Sequence, residues 1–224
     1  MTGAGRRAVY PRDLSPERGL LFRITHCDNL PWLLANGLPC ASSPLRAPSF
    51  VAIGNADLIE DRARHAVREP PHGTLADYVP FYFTPRSPML LNIKTGWKGI
   101  TKRPNADIVV MVTSIARLAA HGVTTLFTDR HAFIRTARWT ADHAELAAML
   151  DWRILRDSDF QNTDAYPDKM DRYMAEALAH GHVPTEALLG LACASDAAKK
   201  KVEMMAQAAG VAMFVEARPE WYFR

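Results

Sequence analysis

Cysteine is scarce in this sequence: Cys27, Cys40 and Cys193 are the only three among 224 residues. An odd count at wide spacing, with no CxxC and no Cys/His pair at zinc-ligand spacing, excludes a disulfide framework and a structural zinc site. Long apolar runs are missing as well. The longest, residues 108–112 and 188–194, are far too short to span a bilayer. The first ten residues carry Arg6 and Arg7 but no apolar stretch behind them, so no secretory signal is expected and the chain reads as cytoplasmic. Also absent are the GxGxxG turn, the P-loop, HExxH and GxSxG, which removes the common nucleotide, zinc-protease and serine-hydrolase templates. Charge of either sign hardly dominates. A net charge of +3 permits a polyanionic partner without demanding one.

What is present is an ordinary globular composition, 48% hydrophobic and 23% charged, in a length that fits one large domain. Residues 1–18 are polar with Gly, Pro and Arg and read as a loose leader, leaving 19–224 as the domain. A strand is predicted at 20–25, then a short helix capped by Asp28 and stopped at Gly37. Prolines 39, 44 and 48 predict an irregular loop at 39–50. A helix is expected at 57–67, before Pro70 and Pro71. The aromatic run 78–83 reads as a strand, with Pro80 making it an edge or a bulge. Ser87 and Pro88 open a helical turn. Further strands are expected at 107–112, 123–128, 188–194 and 211–216. Helices are expected from Ser114, at 140–150 and at 196–209. Residues 151–167 read as a long functional loop. Strands and helices alternate irregularly, which predicts a mixed α+β domain.

Four clusters could carry chemistry. Arg23, Thr25, His26, Asp28 and Asn29 surround the end of the first strand, where hydroxyl and imidazole could hold a ribose or an amide. On local evidence a simple strand end with an Asp-capped turn is the more economical explanation, since such caps are common. Glu60, Asp61, Arg62, Arg64 and His65 share one predicted helix. An arginine there could clamp a pyrophosphate, or the charges could form a solvated face. Tyr78, Phe81, Tyr82 and Phe83 could form a stacking wall for a ring, or an ordinary core strand. Glu176 lies among alanines and apolar residues, an expensive place for a carboxylate unless it is paired. The bland alternative is a helix-surface pair with Arg172.

Taken in order, these segments resemble the DarT family of DNA ADP-ribosyltransferase toxins. RITHCDNL (23–30) is similar to the family's opening element, DYVPFYFTPRSPML (77–90) is the most specific match, and FTDRHA (127–132) is a second. YMAEAL (173–178) resembles the segment that carries the catalytic glutamate, and PEWYF (219–223) resembles the family's ending. The resemblance implies an ADP-ribosyltransferase fold of the diphtheria-toxin and PARP type, NAD as co-substrate, single-stranded DNA as acceptor and no metal. A macrodomain antitoxin of the DarG kind is the implied partner. It also implies that Glu176 stands at a strand start, against the helical leaning of its own segment.

On this resemblance Glu176 and Arg62 are the catalytic pair, with Arg64 as the alternative arginine. Arg23, Thr25, His26, Asn29, Arg62, Tyr78, Phe81, Tyr82, Ser87 and Met89 would face NAD. Arg153, Arg156, Gln161 and Asn162 in the 152–166 segment would read an extruded base, while Lys94 and Lys98, in a basic segment with Lys102 and Arg103, would track the strand. Arg23 stands where the family often has His, a variant associated with guanine modification, so guanine is favoured over thymine as acceptor. Transfer to RNA or protein, NAD hydrolysis, or a catalytically silent nucleic-acid-binding module are the other readings.

Overall fold

The computed structural model of the chain describes residues 14–224. Most of the expected leader thus lies outside the described residues. At its end Leu14 is only 3% exposed and joins the main core. The first strand, β1 (Leu20–His26), runs through a 3-10 turn into helix α1 (Leu30–Asn36). That turn is not capped by Asp28. The cap is His26, whose Nδ1 accepts the Asp28 N–H at 3.2 Å, because the strand continues one residue further than its apolar run suggests. Gly37 does end α1, at φ 76°, in the left-handed region that side chains avoid.

A short strand β2 (Leu38–Pro39) and an irregular stretch lead to α2 (Ala56–Arg64), capped by the Asn55 side-chain oxygen on the Leu58 N–H. This helix stops before the expected Val67. His65 and Val67 instead pair through their backbones with Leu75 and Gly73. Next come β3 (Tyr78–Tyr82), α3 (Pro88–Thr95) with Ser87 as its cap, β4 (Ile108–Ser114) and α4 (Ile115–Ala120). Then β5 (Thr125–Thr128) and β6 (Trp139–Thr140) pair with each other, so the helix expected at 140–150 shrinks to α5 (Leu146–Met149). The Thr140 hydroxyl accepts the Asp142 N–H and Asp142 caps Ala144, a turn that delays the helix.

Within the expected loop 151–167, Asp151 caps α6 (Trp152–Asp157), which buries Trp152, Ile154 and Leu155. Only the remainder is irregular. Helix α7 (Lys169–Tyr173) ends just before β7 (Glu176–His180), followed by β8 (His182–Val183), β9 (Gly190–Cys193), α8 (Asp196–Ala208) and β10 (Val215–Ala217).

Eight strands form one sheet in the order β10-β9-β4-β1-β3-β7-β5-β6, and β2 pairs with β8 beside it. Every neighbour pair in the large sheet is antiparallel except β9 with β10, so the α+β expectation holds with a mixed sheet. The expected edge position for the Pro80 strand does not hold, since β3 lies in the interior between β1 and β7. What permits a proline there is a split. β1 and β3 are in register only at Phe22 and Tyr82. Beyond that pair the sheet opens, and a missing backbone donor costs nothing on the open side. Alternation along β3 places Phe81 and Phe83 in the main core, whereas Tyr78 joins a second cluster with Val67, Leu75, Leu126, Ala132 and Leu178. No helix among the described residues is long and apolar enough to cross a membrane.

Candidate active site

Glu176 opens β7 directly across from Tyr82 of β3 and is 1% exposed. Its strand, Glu-Ala-Leu-Ala-His, has good helix formers, yet the alanines at 177 and 179 leave room for the large aromatics of the main core. Packing overrides propensity here, and the backbone N–H of Glu176 donates to the Thr128 hydroxyl at 3.2 Å.

A carboxylate so buried must be matched by donors. Arg62 Nη1 reaches both of its oxygens, at 3.1 and 3.2 Å, and the Ala132 N–H donates to Oε2 at 3.0 Å. Burial pushes the acid up, but Arg62, His131 and the Ala132 amide outweigh burial and hold Glu176 below the usual glutamate range. It is therefore an anion at neutral pH. Arg62 reaches it from the face of α2 that also carries Leu58, one helical turn before it. Arg62 Nη2 is buried with no partner among the described residues. Arg64 behaves otherwise. It points to solvent and pairs with Glu60 and Asp61 of its own helix. The geometry separates two arginines that the sequence left competing.

Sequence reasoning assigned no role to His131. Its Nε2 lies 3.9 Å from Glu176 Oε1, and its Nδ1 accepts the Phe133 N–H at 3.3 Å. That bond assigns the neutral ring's proton to Nε2, facing the carboxylate. Burial pushes the imidazole pKa down, against the pull of Glu176. The signal was available in FTDRHA, where a histidine follows a strand closely. Asp129 and Arg130 hold that corner: Arg130 pairs with Asp129 and Asp168, and Asp129 also accepts the Arg138 N–H.

The split between β1 and β3 supplies the rest of the cluster. Arg23 Nη1 donates to the Pro80 carbonyl at 2.9 Å, bridging the opened strands. Burial first and the neighbouring Arg62 second lower its pKa to about 10, so it stays charged at neutral pH. Tyr82 is pushed up by burial and by Glu176 and remains a neutral phenol. Thr25 and Asn29 bond to each other, and Asn29 also grips Val51 through its N–H (2.8 Å) and carbonyl (2.9 Å), which fixes the segment before α2. His26 Nε2 is buried without a partner among the described residues.

The other expected site residues lie on several different elements. Tyr78 donates to the His72 carbonyl and packs on His180, and Phe81 is fully buried in the main core, so the four aromatics do not form one wall. Strand alternation separates them. Ser87 caps α3 through its hydroxyl, and Met89 packs at the core's margin. Arg156 Nε donates to the Leu14 carbonyl, and Arg153 is exposed beside Asp157. The Asn162 side chain accepts the Met170 N–H, while Gln161 is exposed. Lys94 ends α3, and Lys98 follows it in an exposed turn.

The sheet opens between β1 and β3, and an anionic glutamate stands at the start of β7, the strand beyond. The family model described as ssDNA thymidine ADP-ribosyltransferase, DarT, matches residues 22–223. A DNA ADP-ribosyl transferase of Escherichia coli O127:H6 is 43% identical over 96% of this chain and 98% of its own length. One from Thermus sp. (strain 2.9) is 36% identical over 75% of this chain and 78% of its own. The solved structure of Thermus sp. 2.9 DarT in complex with ADP-ribosylated ssDNA superposes with a TM-score of 0.83 at 30% identity, covering 93% of this chain and 98% of that one. The same Thermus protein in complex with NAD+ gives a TM-score of 0.77 at 29% identity, over 93% of this chain and 100% of that one. The chain belongs to the DarT family of DNA ADP-ribosyltransferases.

Proposed function

We propose that this protein splits NAD+ at the bond between nicotinamide and ribose and joins the ADP-ribose to a base of single-stranded DNA. The observation that carries this reading is the buried Glu176–Arg62 pair, which keeps a guanidinium nitrogen, Arg62 Nη2, unpartnered among the described residues beside an anionic carboxylate. As the glycosidic bond breaks, its electron pair leaves with nicotinamide and positive charge develops on the ribose. An anion fixed in advance stabilises that charge without reorganising, and its remaining lone pair suits a ribose hydroxyl. His26 has Nδ1 engaged as an acceptor, so its unpartnered Nε2 carries a proton that suits the carboxamide of nicotinamide. A ring nitrogen of the base then bonds to the ribose carbon, and its proton passes to Glu176, with Arg62 polarising the base. Arg23, Thr25, Asn29, Tyr82, Ser87 and Met89 form the NAD side of this reading.

Thymine is the first acceptor in this proposal, on the description of the family. Guanine is the second, on the presence of Arg23 in the opening element. The bond from Arg23 to Pro80 weighs against guanine, because it gives the guanidinium a structural task at the split. Incubating the protein and NAD+ with single-stranded oligonucleotides containing one thymine or one guanine, followed by mass spectrometry, separates the two. An ADP-ribose adduct on the thymine oligonucleotide alone is expected. A label only on RNA or protein, or none with any acceptor, would overturn the DNA reading. A cytoplasmic toxin role and a DarG-like macrodomain antitoxin complete the proposal, and relief of growth arrest by such an antitoxin is their measure.

A further inference from the structure

Immediately after α3 the chain makes a turn with an unusual backbone. Gly96, Lys98 and Gly99 all have positive φ, at 76°, 51° and 77°. The two glycines adopt this freely, but Lys98 does so at a cost that the surroundings must sustain. The result of this turn is that Trp97 stands 60% exposed, more open than any other large aromatic among the described residues except Phe214. Its neighbours along the chain are cationic. Lys94, Lys98 and Lys102 lie within five residues of it, and no carboxylate pairs with any of the three among the described residues, whereas Lys169 and Lys199 are each paired. An indole held outward among three unneutralised ammonium groups has nothing to gain from the fold itself.

We infer that Trp97 is a stacking platform for an unpaired base of the DNA strand, flanking the nucleotide that is modified, with Lys94, Lys98 and Lys102 holding its phosphates. Sequence-tolerant single-strand binding uses this pairing of an aromatic face with a cationic track, since every base has a π-face and every link a phosphate. The distance also fits. Ser87, on the proposed NAD side, caps α3, and the helix's eight residues run about 12 Å to the turn. That is the span of a few nucleotides at about 3.4 Å or more each. The rigid link matters too: the Arg103 N–H donates to the Ile93 carbonyl, tying the basic segment back onto the helix.

This inference rests on the DNA reading proposed above, and the experiment keeps the two apart. Trp97→Ala and Trp97→Phe are compared with the native chain for binding of a fluorescent twelve-nucleotide strand and of a trinucleotide containing the acceptor base. NAD+ cleavage is measured in parallel. Trp97→Ala is expected to weaken binding of the long strand roughly ten-fold, with Trp97→Phe retaining most of the affinity. The trinucleotide and NAD+ cleavage should be unaffected. Lys98→Ala should reduce the slope of log affinity against log salt by about 0.7. Equal binding of the long strand by native and Trp97→Ala proteins would overturn the stacking site while leaving the DNA reading intact. Failure of the native protein to bind or label any DNA would instead remove the DNA reading itself. A surface made for a protein partner would show itself as unchanged DNA affinity, which also overturns the proposal.

Discussion

The two seams that flank β1 are made of the same backbone and have opposite fates. On one side every residue from Leu20 to His26 pairs with β4, and the partners from Ile108 to Met111 are buried apolar side chains. On the other side only Phe22 meets Tyr82, and the strands then part. The regular seam satisfies its own hydrogen bonds and needs only apolar packing. The open seam leaves backbone groups over, and side chains must complete it, as Arg23 does for the Pro80 carbonyl. Buried charge collects where the ladder stops. Arg62 bears on the ionisation of Arg23, Tyr82 and Glu176, and the two guanidiniums and the carboxylate make a site of fixed charge beside the apolar core.

The most severe way to break this contrast is to neutralise the anion without changing its shape. Glu176→Gln should lower ADP-ribose transfer by roughly a thousand-fold, as removal of a preorganised charge from a reacting centre does. Circular dichroism should be unchanged. The same variant reports on pH. The folded pKa of Glu176 is depressed, so its contribution to stability is present above the unfolded value of about 4.3 and is lost as pH falls through the folded value. Urea unfolding should therefore show a native-over-variant margin that is constant near neutrality and shrinks below about pH 4. A margin that grows with acidification would contradict the charge assignment.

Smaller, and sharper as a comparison, is the pair of arginines on α2. Arg62→Ala should abolish most transfer and also cost about 3–5 kcal/mol of stability, because it strands a buried carboxylate. Arg64→Ala should change neither by more than about 0.5 kcal/mol, since its partners are exposed neighbours on its own helix. Thermal melts and transfer assays on both variants settle the matter, and equal effects would mean that α2 sits differently from the arrangement described. Least in size is Arg23→Met, which removes the bridge across the split while keeping bulk. It should cost about 1–3 kcal/mol in urea unfolding, the penalty of an unmet carbonyl near a buried charge cluster. No loss would show that the opened seam needs no side chain to complete it.

Much of the fold was readable from local pattern. The strands at β1 and β4, the Ser87 and Ser114 caps and the long α8 are each set by runs and caps that act over a few residues. Misreadings fell where partners far along the chain decide. Residues 140–150 have helical character, yet Trp139 and Thr140 pair with β5, and the turn at Asp142 leaves only a short helix behind it. Pro80 pointed to an edge or a bulge, but an opened interior seam meets the same need. The site divides in the same way. Glu176 was visible as a carboxylate in apolar company, and the ordered motifs named its family. Phe81 looked like part of a ring-binding wall until strand alternation turned it into the core. His131 went unnoticed because nothing within its own neighbourhood says that a glutamate far along the chain will stop 3.9 Å from its ring.

The sequence by itself determined the α+β character of the fold, its family and the carboxylate in apolar company, because runs, caps and ordered motifs are properties of neighbouring residues. Only the tertiary structure decided that Arg62 and not Arg64 meets Glu176, that β3 is an interior strand beside a split, and that His131 belongs to the site. Those outcomes depend on which groups must share one buried space without unpaired charge, and the burial of Glu176 sets that requirement only once the chain is folded.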